Sequence, residues 1–272
     1  GVNKTKTNYL IHLSPDLAVD FKQIKTFFEY AKKLKNNFCA LGPRFLKTKK
    51  KGHNQINKKL QIGKIDSIHG SYMFMNKKKF NEIGGWDKNI FLFFEESDYC
   101  YRAKKINLFC YQINSIKTRT IDTTVKIKDK KIRENWQYLL RWHFIWSKFY
   151  FSKKKYGLLT SFFLFIPTLI RIFLRLILYK ILRDKKKLTK YKFRYSGLYN
   201  SILGKKSFLR LKDIERYLHE PWKARSLRHL SQRPHSLYLA VTQPGGRMHS
   251  QYLRLFEVVF SQQYCPLCFQ KT

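Results

Sequence analysis

The stretch Phe91–Arg102 constrains this chain more than any other, because it joins an aromatic run directly to a cluster of acids. Three carboxylates, Glu95, Glu96 and Asp98, fall within four positions after a fully apolar segment. Such a segment suits a solvated face poorly, and it predicts a buried edge that delivers acids to a cleft. If Glu95 begins a helix, Glu95 and Asp98 lie about one turn apart and share a face, whereas Glu96 points elsewhere.

The chemistry that clustered acids can perform depends on how their pKa values separate. Closely spaced carboxylates do not all ionise at one pH, so one of them can serve as a general base near neutral pH. Acids in a first turn also lie at the favourable end of the helix dipole. The alternative is an ordinary acidic first turn that caps a helix and has no chemical role.

The segments before this stretch restrict the folds that the chain can adopt. Ile68–Met75 has the pattern of a strand, Lys77–Ile83 that of a short polar helix, and Gly84–Asp87 that of a tight turn whose glycines allow positive φ. With the acids and Arg102 after them, these segments resemble family 2 glycosyltransferases, in particular the rhamnosyltransferase-like branch that builds cell-surface polysaccharides. The joint spacing over Asp66–Arg102 carries the resemblance, because each motif alone is weak.

The resemblance implies an α/β fold, the C-terminal half of a GT-A (nucleotide-diphospho-sugar transferase) domain, followed by membrane-associated helices. The family's first strands would precede Gly1, so the chain is expected to be an N-terminally truncated fragment. The implied reaction moves a sugar, with inversion, from a nucleotide-sugar donor to a saccharide or lipid-linked acceptor. Glu96 is the expected base, and Glu95 and Asp98 are expected to position the acceptor or the base.

Donor and acceptor contacts are expected from the strand and the turn that precede the acids. Gly70 and Ser71 allow a ligand to approach the backbone closely, Trp86 can stack on a sugar ring, and Asp87 can accept hydrogen bonds from sugar hydroxyls. The alternatives are a structural histidine at His69, a packed aromatic in the turn and an aspartate that stabilises the turn. The residues expected to bind donor or acceptor are His69, Gly70, Ser71, Gly85, Trp86, Asp87 and Arg102.

A metal ligand is expected just after the first predicted strand, Tyr9–Leu13. Asp16 stands where the resembled family carries a metal-binding aspartate, and a hard divalent ion held by carboxylates and substrate phosphates suits Mg²⁺ or Mn²⁺. The chain departs from the family at Ser14, which is not a carboxylate, and in the segment 115–122, which lacks the histidine that usually joins the metal site. The alternative is an aspartate that starts a turn or helix.

The second half of the chain predicts helices at a membrane surface. Aromatic and basic residues are mixed through Lys131–Ser152, as suits a membrane interface. Gly157–Ile170 is an uncharged run of 14 residues, shorter than the ~20 needed to span a bilayer, and Arg171 and Arg175 interrupt its continuation. We therefore expect a peripheral or monotopic helix on the cytoplasmic face of the inner membrane, with the basic cluster Arg183–Lys192 near anionic lipid. The alternative is a buried helical hairpin.

The net charge of +39 implies an anionic partner: a phosphorylated substrate, an anionic membrane surface or nucleic acid. No nucleic-acid motif appears, which argues against the last. The rival interpretation is a non-enzymatic basic module that binds anionic membrane or nucleic acid. The expected organisation is a transferase domain over residues 1–130, a membrane-associated helical region over 131–210 and an atypical tail over 211–272 with no assigned chemistry.

The five cysteines are odd in number, which indicates buried free thiols in a reducing compartment rather than a disulfide framework. Cys39, Cys100 and Cys110 lie in apolar segments. Cys265 and Cys268 form a lone CxxC without a second pair of ligands, so no zinc site is predicted there.

Overall fold

The chain divides into two compact units in the computed structural model. The sheet unit comprises Gly1–Asp87, Glu96–Val125 and Pro234–Thr272, and the helical unit comprises Lys88–Glu95 and Lys126–Arg233. The structure describes residues 2, 5–14, 17, 19–46, 55–119, 127 and 129–215, and the backbone of residues 238–241 and 258–259.

A mixed sheet of seven strands, counted over the described residues, organises the first unit. Its strands are β1 (Tyr9–Leu13), β2 (Ala40–Phe45), β3 (Ile62–Ile65), β4 (Tyr72–Asn76), β5 (Cys110–Thr118), β6 (Tyr238–Val241) and β7 (Val258–Val259). They lie in the order β3-β5-β2-β4-β1-β6-β7. The β2–β5 pair is parallel, and the other described neighbours are antiparallel.

Helices pack on both faces of this sheet, which confirms the predicted α/β class. Alternate strand residues point to opposite faces, so Leu10 packs in one hydrophobic cluster while Tyr9 and Ile11 pack in the other. The first cluster contains residues of α3 (Glu95–Lys105), and the second contains residues of α1 (Phe21–Lys33).

The helix α1 follows from the helical spacing of its apolar residues. Asp20 caps its N-terminus by accepting a hydrogen bond from the backbone N–H of Lys22. Its buried face consists of Ile24, Phe27, Phe28, Tyr30 and Ala31. Full burial of one large apolar side chain stabilises a fold by about 1.5–3 kcal/mol, so this face holds α1 on the sheet.

The strand β4 begins later than the sequence pattern indicates. The strand predicted over Ile68–Met75 starts only at Tyr72, because the backbone N–H of Tyr72 donates to the carbonyl oxygen of His69 at 3.2 Å. The backbone N–H of Ser71 also donates to Nδ1 of His69 at 3.2 Å. Residues 67–71 therefore form a loop, and the strand continues directly into α2 (Lys77–Glu82).

Three long helices form the helical unit: α4 (Lys130–Tyr156), α5 (Leu158–Ile181) and α6 (Lys185–Ile202). α6 packs against α4 at Gly197, where an added Cβ would lie 2.5 Å from the carbonyl oxygen of Trp142. Only glycine permits this close approach of the two helices. His143 is fully buried on α4 and contacts the segment that follows α6, with Nε2 at 2.9 Å from the Leu209 carbonyl oxygen.

The tail contributes backbone to the sheet. β6 pairs antiparallel with β1, with Tyr9 opposite Val241, and β7 pairs with β6. The sequence showed no sustained periodicity here, and a strand of four residues is too short to produce one. The Cys265–Cys268 motif lies outside the described residues.

Candidate active site

The acids lie at the start of α3, because that helix begins at Glu95, and this meets the condition under which the sequence places Glu95 and Asp98 on one face. Phe93 and Phe94 precede it with φ values of 67° and 68°, a left-handed conformation that costs about 1–2 kcal/mol for each bulky residue. Packing within the helical unit offsets this cost, since the Phe94 ring stacks 5.8 Å from the Phe151 ring. The Ser147 hydroxyl also donates to the Leu92 carbonyl oxygen at 2.7 Å. The backbone that leads into the acids is thus held in a strained form.

Glu95 and Glu96 have different surroundings. Burial raises the pKa of Glu95, and its Oε2 atom has no hydrogen-bond partner among the described residues. Glu96 lies beside the loop at Gly70, where an added Cβ would be 3.5 Å from the carboxyl carbon. The sheet unit therefore places the predicted base next to a glycine that is predicted to bind substrate.

Asp98 belongs to a buried ion pair. Its side chain is fully buried, and its Oδ2 atom accepts a hydrogen bond from Nε of Arg102 at 2.8 Å. The same guanidinium donates to the carbonyl oxygens of Ile83 and Gly85, both at 2.5 Å. Arg102 thus ties α3 to the Gly84–Asp87 turn. This geometry gives Asp98 and Arg102 a structural task, and their predicted contact with donor or acceptor stays a prediction.

The turn itself depends on its glycines. Gly84 and Gly85 have φ values of 87° and 63°, which side chains rarely adopt. Their backbone N–H groups donate to the carbonyl oxygens of Asn81 and Phe80, which closes the end of α2. The turn therefore ends α2 just before Trp86 and Asp87.

Trp86 packs against the hydrophobic cluster that contains Phe80 and Tyr99. Its ring lies 5.0 Å from the Tyr99 ring and 5.6 Å from the Phe80 ring. Its indole Nε1 is buried and has no hydrogen-bond partner among the described residues. A buried donor without an acceptor is costly, so this N–H is the atom of Trp86 best placed to meet a ligand. Asp87 follows it and is half-buried.

His12 is a site residue that sequence reasoning missed. Its ring lies 5.7 Å from the Trp86 ring, and burial lowers its pKa to about 4, although a hydrogen bond to the backbone of Gly70 opposes this. It is therefore neutral near pH 7. The alternation along β1 is the signal that could have identified it, since His12 shares the face of Leu10, opposite Ile11.

His69 and Ser71 shape the loop around Gly70. The His69 ring lies 4.6 Å from the Phe45 ring, and its Nδ1 accepts from the backbone of Ser71. The carbonyl oxygen of Ser71 accepts from the backbone N–H of Ser14 at 2.8 Å. The structural alternative for His69 is thus well supported, while the predicted substrate contacts of both residues stay predictions.

The predicted divalent-metal site lies largely outside the described residues. Asp16 is outside them, and so is most of the 115–122 segment beyond Arg119. The one group of three or more metal-ligating side chains that the described residues bring together is Cys39, Cys100 and Cys110. Thiol sulphur is a poor ligand for Mg²⁺ or Mn²⁺, so these residues do not fit the expected ion, and Asp16 as its ligand stays a prediction.

The helix α5 exposes an apolar face. In the described part of the chain, α5 is the one helix that is long and apolar enough to cross a membrane. Length and composition of a single helix are weak evidence for a span. Its buried stripe is Ser161, Phe165, Ile172 and Tyr179, and its outward residues include Leu159 at 75% and Phe163 at 66% exposure. At 100° per residue, Arg171 and Arg175 fall between the buried stripe and the centre of the exposed apolar face.

A mixed α/β sheet with carboxylates at the start of a helix, beside a glycine-containing loop, is consistent with a glycosyltransferase-like α/β fold. The low-salt glycan biosynthesis hexosyltransferase Agl10 of Haloferax volcanii is similar to this chain, with 24% identity over 133 residues. The match covers 41% of this chain and 43% of the relative, so the chain matches less than half of that protein's length. No family model and no solved structure matches.

Proposed function

We propose that this chain is part of a family 2 glycosyltransferase of the GT-A type, close to the rhamnosyltransferase-like branch. It would transfer a sugar from a nucleotide-sugar donor to a saccharide or lipid-linked acceptor during the synthesis of a cell-surface glycan. The observation that carries this proposal is the position of Glu96 at the start of α3, beside Gly70 in the 67–71 loop. The similarity to a glycan biosynthesis hexosyltransferase supports it independently.

Glu96 acts as the general base in this proposal. Its carboxylate takes the proton from the acceptor hydroxyl while the acceptor oxygen bonds to the anomeric carbon of the donor sugar. The bond between that carbon and the diphosphate oxygen breaks, and the nucleoside diphosphate leaves with the electron pair. Attack from the opposite face inverts the anomeric configuration. Mg²⁺ or Mn²⁺ at Asp16 is proposed from the resemblance alone. The proton transfer to Glu96 is proposed independently of that ion.

The residues around Glu96 position the substrates. The loop at Gly70 leaves room for the donor to approach the backbone, and the buried indole N–H of Trp86 offers a hydrogen bond to a sugar oxygen. Burial raises the pKa of Glu95, and its contact with the acceptor is proposed from the resemblance alone. Neutral His12 lies between Trp86 and the Gly70 backbone and supports both.

We also propose that the helical unit attaches the enzyme to the cytoplasmic face of the inner membrane. The exposed apolar face of α5 matches a lipid surface, and the basic residues beside it match anionic headgroups. Arginines at the edge of that face reach the headgroup region by extending their side chains outwards. This arrangement favours interfacial attachment over a span and brings the enzyme to a lipid-linked acceptor.

The substitution Glu96→Gln tests the function. It keeps the size of the side chain and removes its basicity, so we expect transfer to fall by about 10²–10⁴-fold. Donor affinity should change little, because the lost interaction belongs to the transition state. The measurements are sugar transfer from nucleotide-sugars to a glycan acceptor, and equilibrium binding of the donor.

The matched control is Glu82→Gln on α2, an exposed carboxylate paired with Lys79 at 2.9 Å. It should leave transfer unchanged, since exposed ion pairs contribute little. Normal turnover by Glu96→Gln, with the variant folded, would remove Glu96 from the mechanism. A chain that transfers no sugar from any nucleotide-sugar, yet binds anionic vesicles or nucleic acid, would favour the basic-module interpretation.

A further inference from the structure

Three cysteines meet inside the sheet unit although they are far apart in the sequence. Cys39 precedes β2, Cys100 lies in the middle of α3, and Cys110 is the first residue of β5. The parallel β2–β5 pair places Cys110 beside Ala40, next to Cys39. Their three Sγ atoms all lie within 4.8 Å of one another. The thiols are free, and the side chains are at most 3% exposed.

This spacing is close to that of a metal ion with three sulphur ligands. At a metal–sulphur distance of about 2.3 Å, three sulphurs around a planar three-coordinate ion are about 4.0 Å apart. The observed separations therefore need to shrink by less than about 1 Å, which side-chain rotation can supply. Sulphur ligands select soft ions such as Cu⁺ and Zn²⁺ over the hard ions that oxygen ligands prefer.

The cluster is reachable from outside. A cavity of about 270 Å³ has Cys100 and Cys110 in its wall, together with Lys64 and Lys104. This cavity provides a path to the sulphurs, and its wall also contains Asp66, which pairs with Lys104 at 3.0 Å.

We propose that Cys39, Cys100 and Cys110 form a binding site for a soft metal ion, with Cu⁺ as the best match. Binding replaces three S–H bonds by three metal–sulphur bonds and releases three protons to solvent. Cu⁺ fits because it accepts three sulphur ligands, whereas structural Zn²⁺ sites use four. The cluster offers three ligand atoms among the described residues. The site is separate from the proposed transfer chemistry and does not depend on it.

The test is anaerobic titration of the reduced protein with Cu⁺ against a competing chelator, with Zn²⁺ titrated in parallel. The variant Cys265→Ser/Cys268→Ser is the reference protein, because it removes the CxxC pair and keeps the three clustered thiols. We expect it to bind one Cu⁺ per chain, with Zn²⁺ held less tightly. X-ray absorption should show three sulphur neighbours at about 2.3 Å.

Replacing Cys100 by Ala in this reference protein should weaken Cu⁺ binding by at least 100-fold. Replacing Cys39 by Ala tests the same site with a residue outside α3, in case the first variant folds poorly. Unfolding is followed for each variant, so that loss of the site is distinguished from loss of the fold. Failure of the folded reference protein to bind Cu⁺ would overturn the proposal. Equal affinity after either alanine substitution, or tighter binding of Zn²⁺ than of Cu⁺, would also overturn it.

Discussion

Removal of the Arg102 guanidinium should destabilise the sheet unit severely. In Arg102→Met, the Asp98 carboxylate loses its charge partner although its side chain has no exposed surface. Breaking a buried ion pair from one side costs about 3–5 kcal/mol. The carbonyl oxygens of Ile83 and Gly85 also lose their donor. Since a protein of this kind has only about 5–15 kcal/mol of stability, the variant should unfold at a much lower denaturant concentration.

Substitution of Asp98 should lower the free energy of unfolding less than substitution of Arg102, because the two side chains are buried to different degrees. In Asp98→Asn, the Arg102 side chain keeps its two carbonyl acceptors and is 23% exposed, so water can reach it. We expect a loss of about 1.5–3 kcal/mol, which is typical for a hydrogen bond to a charged group. The double variant Asp98→Asn/Arg102→Met should be more stable than the sum of the single effects predicts, by about 1–3 kcal/mol.

The assay is urea unfolding followed by circular dichroism and tryptophan fluorescence, with Trp86 as a reporter inside the sheet unit. Lys79→Met is the matched control, because it breaks the exposed Lys79–Glu82 pair and should shift stability by less than about 1 kcal/mol. If Arg102→Met unfolds within 1 kcal/mol of the unsubstituted protein, the ion pair does not hold the turn. Loss of transfer in fully folded Asp98→Asn, measured at low temperature, would restore a catalytic task to Asp98.

Two further predictions concern the helical unit. Burial lowers the pKa of His143 to about 3, so the stability that its neutral form supplies is complete above pH 6.5 and declines as the pH falls from 6.5 towards 3, because the unfolded chain binds the proton first. At pH 5 the free energy of unfolding should be lower by roughly 2 kcal/mol. The measurement compares urea unfolding of the protein with that of His143→Gln across this pH range. An NMR titration midpoint of His143 near 6.5 would contradict the prediction. Replacing exposed Phe163 and Phe173 by Asp should abolish binding to anionic vesicles, whereas Leu60→Asp in the sheet unit should not. Salt should weaken this binding, because it screens the attraction between basic residues and anionic lipid. If tags placed before Trp136 and after Tyr195 lie on opposite sides of a sealed vesicle, α5 spans the membrane and the interfacial interpretation is wrong.

Local pattern was enough to predict the elements that carry the site. The spacing of Ile24, Phe27 and Phe28 is that of one helical face, which α1 buries, and the change from aromatic to acidic residues allows a helix to begin at Glu95, as α3 does. Both signals arise from neighbouring residues that pack or cap within one element. The predicted ends of the elements were less accurate. β4 starts where a hydrogen bond of His69 closes a loop, and such a bond does not change the pattern of apolar residues in the sequence.

Contacts between distant segments could not be predicted in the same way. The sequence places Glu95 and Asp98 on one helical face, but it does not reveal that Asp98 is buried against Arg102 and holds a turn. That pair is separated by four positions, a spacing typical of helical ion pairs, so a part of the signal was present. The cysteine cluster left no such signal, because it depends on the register of β2 with β5.

The helix α3 carries residues of both proposals on one face and the Asp98–Arg102 pair on another. Glu96 and Cys100 are four positions apart and share one face: Glu96 lies beside Gly70, and the Cys100 thiol is hydrogen-bonded to the backbone of Ile68. Asp98 and Arg102 share another face, which holds the turn. Loss of the Asp98–Arg102 ion pair should therefore reduce stability, whereas Glu96→Gln should reduce transfer in a folded protein. Loss of Cys100 should remove metal binding, and any effect on transfer should pass through the 67–71 loop, which contacts both Cys100 and Glu96.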